Sequence, residues 1–316
     1  MGEEKMMFKV FLAILETFIM FGIGAWIFHK KWLNEDASKQ LSKIVLDVFF
    51  PFLTFATITT QFKKEDFSEL WIMPVAGFLL MFVSFFFGWG LKHCMKVKTK
   101  ERMGTFHHIC AINNYVFLPI IVLENLYPES RHVALLLIMN VGSTVGLWTV
   151  GIVAFQGEIN FKKVLQSFYS INVIAVVIAL VWLFSPVPIP PLLKSVSLKL
   201  GNMAVPMMLV IIGGALYRCA GKMLEHKLDL LFISVVRLAI IPVIVILMLK
   251  FFVLNFFSIP EDMIEVLMVV VLMPAASSSV VIAKEYGGAE DFAGATIVLT
   301  TLLSLVSIPL LLNFFA

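Results

Sequence analysis

The chain contains ten apolar segments, each about as long as a helix that crosses a lipid bilayer, which needs roughly 17–25 residues. They lie at about 8–28, 41–60, 70–91, 104–123, 132–155, 168–185, 192–216, 229–252, 263–283 and 292–315. Of the 316 residues, 60% are apolar and only 14% are charged, whereas soluble domains carry about 25% charged residues. This composition excludes a water-soluble domain and predicts an all-α polytopic membrane protein in a lipid bilayer.

Four prolines interrupt these segments at matching places in the two halves of the chain. Pro51 and Pro119 are 68 residues apart, and so are Pro206 and Pro274. A proline removes a backbone donor and clashes with the preceding helical turn. Paired broken helices in corresponding positions of two halves indicate the binding site of a transporter. We therefore interpret the chain as a carrier, in which Pro51 and Pro206 kink a scaffold and the other two prolines mark broken helices.

The distribution of Lys and Arg predicts the orientation, because cytoplasmic loops are enriched in these residues. With the amino terminus outside, 15 of these cations lie on the cytoplasmic side and 8 on the other. We therefore expect both termini on the extracytoplasmic side of the cell membrane. Since each half has five segments, the second half (156–316) would be inverted relative to the first (1–155). The two repeats would form one integral membrane domain, with broken fourth and ninth helices that cross.

Polar side chains lie next to both predicted breaks. Asn113 and Asn114 precede Pro119, and the hydroxyls of Ser277–Ser279 follow Pro274. A half-helix that begins at a break presents free N–H groups and a partial positive charge, which favour an anion such as a carboxylate. Two alternatives stay open: the amides can tie helices together, and the hydroxyls can bond back to helix carbonyls.

Three charged residues fall within apolar segments, where charges are costly and indicate function. Glu16 is either a proton-coupling carboxylate or a hydrogen-bonded structural residue at a helix interface. Asp47, four residues before Pro51, could bind a cation or pair with a lysine. Arg237 could extend towards the cytoplasmic face, neutralise an anion or pair with a carboxylate.

Other chemistries have little support in the sequence. His107 and His108 are adjacent, so their side chains diverge on a helix, whereas metal-binding helices space histidines by four residues. Both are expected near the cytoplasmic edge, which leaves the serines without a base. Gly221 and Lys222 lack the flanking residues of a phosphate-binding loop. We therefore expect no metal, no cofactor, no ATP and no nucleic acid.

Several ordered motifs carry a family resemblance. They are Asn114–Ile120, Trp148–Gly151, Val205-Pro206, Ile212–Ala215, Arg237-Leu238, Met273–Ala276, Ala283–Gly288 and Thr300–Ser304. At these residues the chain resembles the auxin efflux carrier family, which includes plant auxin exporters and bacterial permeases for malate or malonate. The resemblance implies five-plus-five helices, an elevator-like movement of a transport domain against a scaffold, and a homodimer. By match, it implies substrate contacts at Asn113 or Asn114, Pro119, Asn140 and Pro274.

The expected function is transport of a small organic anion, an auxin-like or malate-like carboxylate, by a secondary transporter or uniporter. One alternative is a sodium- or proton-coupled organic-acid symporter of the bile-acid symporter type. A second is a passive anion channel, in which the broken helices line a continuous pore. A third is an intramembrane enzyme that uses one of Ser277–Ser279 as its nucleophile. The residues leave the driving force open.

Overall fold

The computed structural model describes residues 3–128, 130–219 and 227–315, without the side chains of residues 3–7, 10 and 252. Gly221 and Lys222 therefore lie outside the described residues. The described helices are, in chain order, α1 (Glu3–His29), α2 (Glu35–Gln61), α3 (Lys64–Cys94), α4 (Lys100–Ala111), α5 (Phe117–Leu126), α6 (His132–Gln156), α7 (Phe161–Ser167), α8 (Ile171–Leu183), α9 (Pro191–Cys219), α10 (Lys227–Phe256), α11 (Glu261–Val271), α12 (Ser279–Glu285) and α13 (Glu290–Phe315). The predicted all-α class is confirmed.

Among the described residues, seven helices are long and apolar enough to cross a membrane: α1, α2, α3, α6, α9, α10 and α13. The pair α7 and α8, bent by 41°, would make an eighth. The fourth and ninth predicted segments are each present as two short helices, α4 with α5 and α11 with α12. The protein is therefore a multi-pass membrane protein of seven or eight such helices together with two broken segments.

Side-chain caps explain where several helices begin. Asn34 accepts the backbone N–H of the third residue beyond it at 2.8 Å and starts α2. Thr99, Asn160 and Ser170 make the same kind of bond at the starts of α4, α7 and α8. Each cap satisfies one of the free N–H groups of the first turn. Gly157, with φ of 76°, ends α6 in a left-handed conformation that favours glycine.

Pro51 and Pro206 lie within helices that continue past them. Pro51 directly follows Phe50, just after a π-helical turn at Val45–Phe49 in α2. Pro206 is the third residue of the helical stretch Ala204–Cys219 in α9, after a turn. An extra residue in a helical turn bends the helix locally. These two prolines therefore accompany local irregularities inside continuous spans, whereas Pro119 and Pro274 accompany breaks.

Glycines allow two pairs of helices to approach closely. A Cβ added to Gly142 of α6 would overlap the carbonyl oxygen of Pro74 in α3, and one added to Gly24 of α1 would overlap that of Val210 in α9. Small residues at such crossings are typical of membrane helices. Helix α6 is also the more enclosed of its pair, with 72% of its span buried against 33% for α3. It therefore lies towards the centre of the molecule.

Gly142→Ala is expected to lower the free energy of unfolding by about 2 kcal/mol or more, because its methyl group would force α3 and α6 apart. Thermal unfolding of the purified protein in detergent measures the change. Gly22→Ala in α1 is the matched control, since a Cβ there meets nothing within 4 Å. Its unfolding midpoint should stay the same or rise, because alanine favours helix. Equal midpoints for the two variants would contradict the close crossing.

Ion pairs connect the ends of several helices. Arg131, between α5 and α6, pairs with Asp262 of α11, and at 2.8 Å with Asp66 of α3. The hydrogen bond to Asp262, helped by both carboxylates, holds the pKa of the Arg131 guanidinium above its usual range. Lys163 of α7 pairs with Glu285 of α12 at 2.7 Å. These contacts hold the two broken segments against their neighbours.

Candidate functional site

The two breaks lie side by side and complete each other's backbone hydrogen bonds. Non-helical residues 112–116 separate α4 from α5, and a similar stretch separates α11 from α12. Asn113 and Ala275 form an isolated antiparallel bridge, and the Asn114 N–H donates to the Pro274 carbonyl at 2.8 Å. Backbone that leaves a helix at membrane depth needs such partners. Each break therefore stabilises the other.

The Asn113 side chain strengthens this junction. Its exposed fraction is 1%, and its Nδ2 donates to the Val270 carbonyl near the end of α11. Its Oδ1 is buried without a partner among the described residues. Asn114 is half-buried and contributes its backbone N–H. The side-chain amide of Asn113 thus connects the first break to α11. Joining helices in this way was one of the roles that the sequence left open for the two asparagines.

The structure gives Arg237 neither of two roles that the sequence suggested, an extension to the cytoplasmic face or a pair with a carboxylate, and its role towards an anion stays a prediction. Its side chain is 1% exposed, so it does not extend to a surface, and its partners are backbone carbonyls rather than a carboxylate. Nη1 donates to Cys110 at 3.0 Å, Nη2 to Val271 at 3.2 Å and Nε to Met273 at 3.2 Å. These carbonyls lie at the carboxyl ends of α4 and α11, which carry partial negative charge. One guanidinium therefore neutralises two helix ends at the junction.

The three serines after Pro274 have different surroundings. Ser277 is half-buried and Ser278 is exposed, whereas Ser279 is fully buried, 3.2 Å from His108 Nε2. His108 Nδ1 lies 2.8 Å from the Gly151 carbonyl. A carbonyl only accepts, so Nδ1 carries the proton and Nε2 accepts from the serine hydroxyl. The expectation that these serines have no neighbouring base is wrong for Ser279, because His108 is fully buried beside it.

The other proposed site residues are more dispersed. Pro119 and Pro274 are buried at the breaks. Glu16 is exposed on α1, and the described residues give it no hydrogen bond, in contrast to the structural role considered for it. Asp47 is half-buried in the π-helical turn of α2, with no ion pair to any residue that the structure describes. Coupling roles for these two carboxylates stay predictions.

A cavity of about 190 Å³ lies between α2, α6, α8 and the first break. Its polar wall includes Thr54, Tyr115, Asn140 and Asn172. Thr54 Oγ1, Asn172 Oδ1 and both amide atoms of Asn140 are buried without a partner within the described ranges. Buried polar groups in proteins nearly always have partners. The concentration of unpartnered groups around one cavity therefore indicates a site for a polar ligand.

The cavity has no charged residue in its wall within the described structure. Tyr115 and Val116, which line it, directly precede α5. The amino end of α5, with its free N–H groups and partial positive charge, therefore lies at the cavity wall. Of the polar residues here, only Asn140 was among the sequence candidates. Thr54 and Asn172 could have been found by collecting every polar side chain within the apolar segments.

Comparisons with known proteins identify the chain's family. A family model described as membrane transport protein matches residues 9–312. The Arabidopsis thaliana protein PIN-LIKES 1 is 28% identical over 120 residues, which are 37% of this chain and 25% of the relative. PIN-LIKES 4 from the same plant is 26% identical over 118 residues, 37% of this chain and 28% of the relative. The matched stretch thus spans about a quarter of these curated relatives. The family model, in contrast, covers nearly the whole of this chain. The chain therefore belongs to the membrane transport protein family, the auxin efflux carrier family.

Proposed function

We propose that this protein is a secondary transporter of a small organic anion and that the 190 Å³ cavity is its substrate site. The unpartnered polar atoms of Thr54, Asn140 and Asn172 carry this proposal. At about 30 Å³ per water, the cavity has room for about six waters, which suits a small carboxylate. Amide and hydroxyl donors can bind the carboxylate oxygens, and the amino end of α5 favours negative charge.

The proposed mechanism is an elevator-type movement. The cavity is lined by α2 and α8 on one side and by α6 and the first break on the other. In this proposal α3–α6 and α10–α13 form the moving body, and α1, α2, α8 and α9 form the scaffold. The Arg237 junction keeps the two broken segments together as the body moves. Asn113, Asn114, Pro119 and Pro274 would shape the breaks, while Asn140 would contact the substrate.

The wider architecture is part of the same proposal. The broken segments are the fourth and ninth of ten, which supports two inverted five-helix repeats, 1–155 and 156–316. We place both termini on the extracytoplasmic side of the cell membrane, from the distribution of Lys and Arg. A homodimer is expected from the family. An inside-negative potential favours anion export by about 2.3 kcal/mol per charge per 100 mV, so export needs no coupling ion.

Transport by the purified protein in liposomes tests this function. Vesicles loaded with a labelled mono- or dicarboxylate should exchange it for external carboxylate with saturable kinetics, and empty vesicles should not. A passive channel would instead give conductance bursts in a planar bilayer. Absence of saturable flux and of any ligand-induced rise in unfolding temperature, across a carboxylate panel with and without sodium, would contradict the proposal. Parallel measurements at two external pH values would reveal proton coupling.

A further inference from the structure

A second, larger cavity lies where α3 and α6 end and α4 begins. Its volume is about 710 Å³, within the range of ligand sites in proteins. The side chains of Lys92, Lys98 and Lys100 line it together with aromatic residues of α3 and α6. It shares no lining residue with the cavity assigned to the substrate. The transport proposal therefore leaves it without a role.

The charge of this cavity is positive, and the residues that the structure describes do not compensate it. Across the described ranges, none of its three lysines forms an ion pair, and no carboxylate lines its wall. Other lysines do have partners: Lys39 pairs with Glu35 at 3.1 Å. Three like charges around one space repel one another unless an anion lies between them. The cavity therefore has the charge complement of an anionic group.

The remaining wall of the cavity is apolar and open to the helix surface. Phe86 and Trp89 of α3 line it and are 53% and 58% exposed, whereas Phe155 of α6 lies deeper and is buried. A small soluble anion would leave these aromatic surfaces without contact. A phospholipid combines a phosphate with acyl chains, and tryptophan is enriched at the depth where the two meet. The lysines of the cavity thus match the phosphate of a phospholipid, and the aromatic wall matches its acyl chains.

We propose that this cavity binds an anionic phospholipid from the surrounding bilayer. The headgroup phosphate lies among Lys92, Lys98 and Lys100, and an acyl chain lies along Phe86 and Trp89. Basic pockets between membrane helices on the cytoplasmic side bind anionic headgroups in this way. The distribution of Lys and Arg assigns these lysines to that side. The inference requires a membrane protein but not the proposed substrate.

Native mass spectrometry of the purified full chain tests the proposal. Phosphatidylglycerol and phosphatidylcholine with identical acyl chains are the probes. Wild-type protein should prefer phosphatidylglycerol by about tenfold or more, since each lysine near a headgroup contributes favourably. The triple variant Lys92→Gln/Lys98→Gln/Lys100→Gln should lose this preference. The matched control changes three exposed lysines outside the cavity, Lys30→Gln/Lys31→Gln/Lys43→Gln, and should keep it.

Further variants separate the possible outcomes. A preference that survives in the cavity variant, or falls equally in both triple variants, overturns the proposal. If glycerol 3-phosphate displaces the lipid at equal concentration, the site is one for soluble phosphates, which also overturns it. Phe86→Ser/Trp89→Ser should weaken retention of both lipids but leave the preference for phosphatidylglycerol.

If the triple variant cannot be purified, the double variant Lys98→Gln/Lys100→Gln replaces it, because both residues are exposed outside the apolar part of α3. It should lower the preference at least fivefold, and an unchanged preference overturns the proposal.

Discussion

Arg237→Met is expected to destabilise the protein by about 3 kcal/mol or more and to abolish transport. The change leaves the carbonyls of Cys110, Val271 and Met273 without their donor. A buried polar group that loses its partner costs about 1–3 kcal/mol. The carboxyl ends of α4 and α11 would also face each other without a cation between them. Thermal unfolding in detergent, together with liposome exchange, measures both effects.

Two further variants control this prediction. Arg237→Lys keeps the charge, but a compact ammonium cannot reach all three carbonyls, so its stability should be intermediate. Arg218→Met removes a partly exposed arginine that pairs with Glu35 at 3.0 Å, and such pairs contribute about 1 kcal/mol or less. If Arg237→Met unfolds at the same temperature as Arg218→Met, the three carbonyl bonds do not hold the junction together.

The positions of the breaks could be predicted from sequence because they have a local chemical signature. Pro119 and Pro274 remove backbone donors inside apolar segments, and polar residues lie within a few positions of each. The family resemblance, read from motifs along the chain, is confirmed by the family match over residues 9–312. The fourth segment, predicted at 104–123, begins earlier in the structure, because Thr99 caps α4. At this helix start the capping residue, rather than the onset of hydropathy, marks the first turn.

The roles of Arg237 and His108 could not be predicted in the same way. Arg237 binds carbonyls at the ends of two helices, and every residue has a carbonyl, so no side-chain pattern reveals such a partner. His108 meets Ser279 across 171 positions of sequence. Its proximity depends on the side-by-side arrangement of the breaks, which the sequence predicts only coarsely.

Asn140→Leu is expected to weaken substrate binding by about 100-fold without destabilising the fold. Neither amide atom of Asn140 has a partner within the described structure, so the substitution removes no protein hydrogen bond. Leucine has the same number and branching of side-chain heavy atoms, its bulkier methyl groups can extend into the adjoining cavity, and the change removes a buried polar group, so the unfolding temperature should stay the same or rise. A bound carboxylate would lose its amide contact, and hydrogen bonds to charged groups contribute about 1.5–3 kcal/mol. Affinity should therefore fall by about 100-fold.

Asn125→Leu is the matched control, and it should give the opposite combination. Asn125 Nδ2 donates to the Ile121 carbonyl at 3.1 Å within α5, away from the cavity. Its replacement should lower stability slightly and leave affinity unchanged, as measured by calorimetry with the carboxylate that gives the largest thermal shift. If Asn140→Leu instead unfolds earlier and binds that carboxylate normally, then Asn140 is structural. A lower affinity of Asn140→Leu at unchanged stability is the result expected if the unpartnered Asn140 amide binds the substrate.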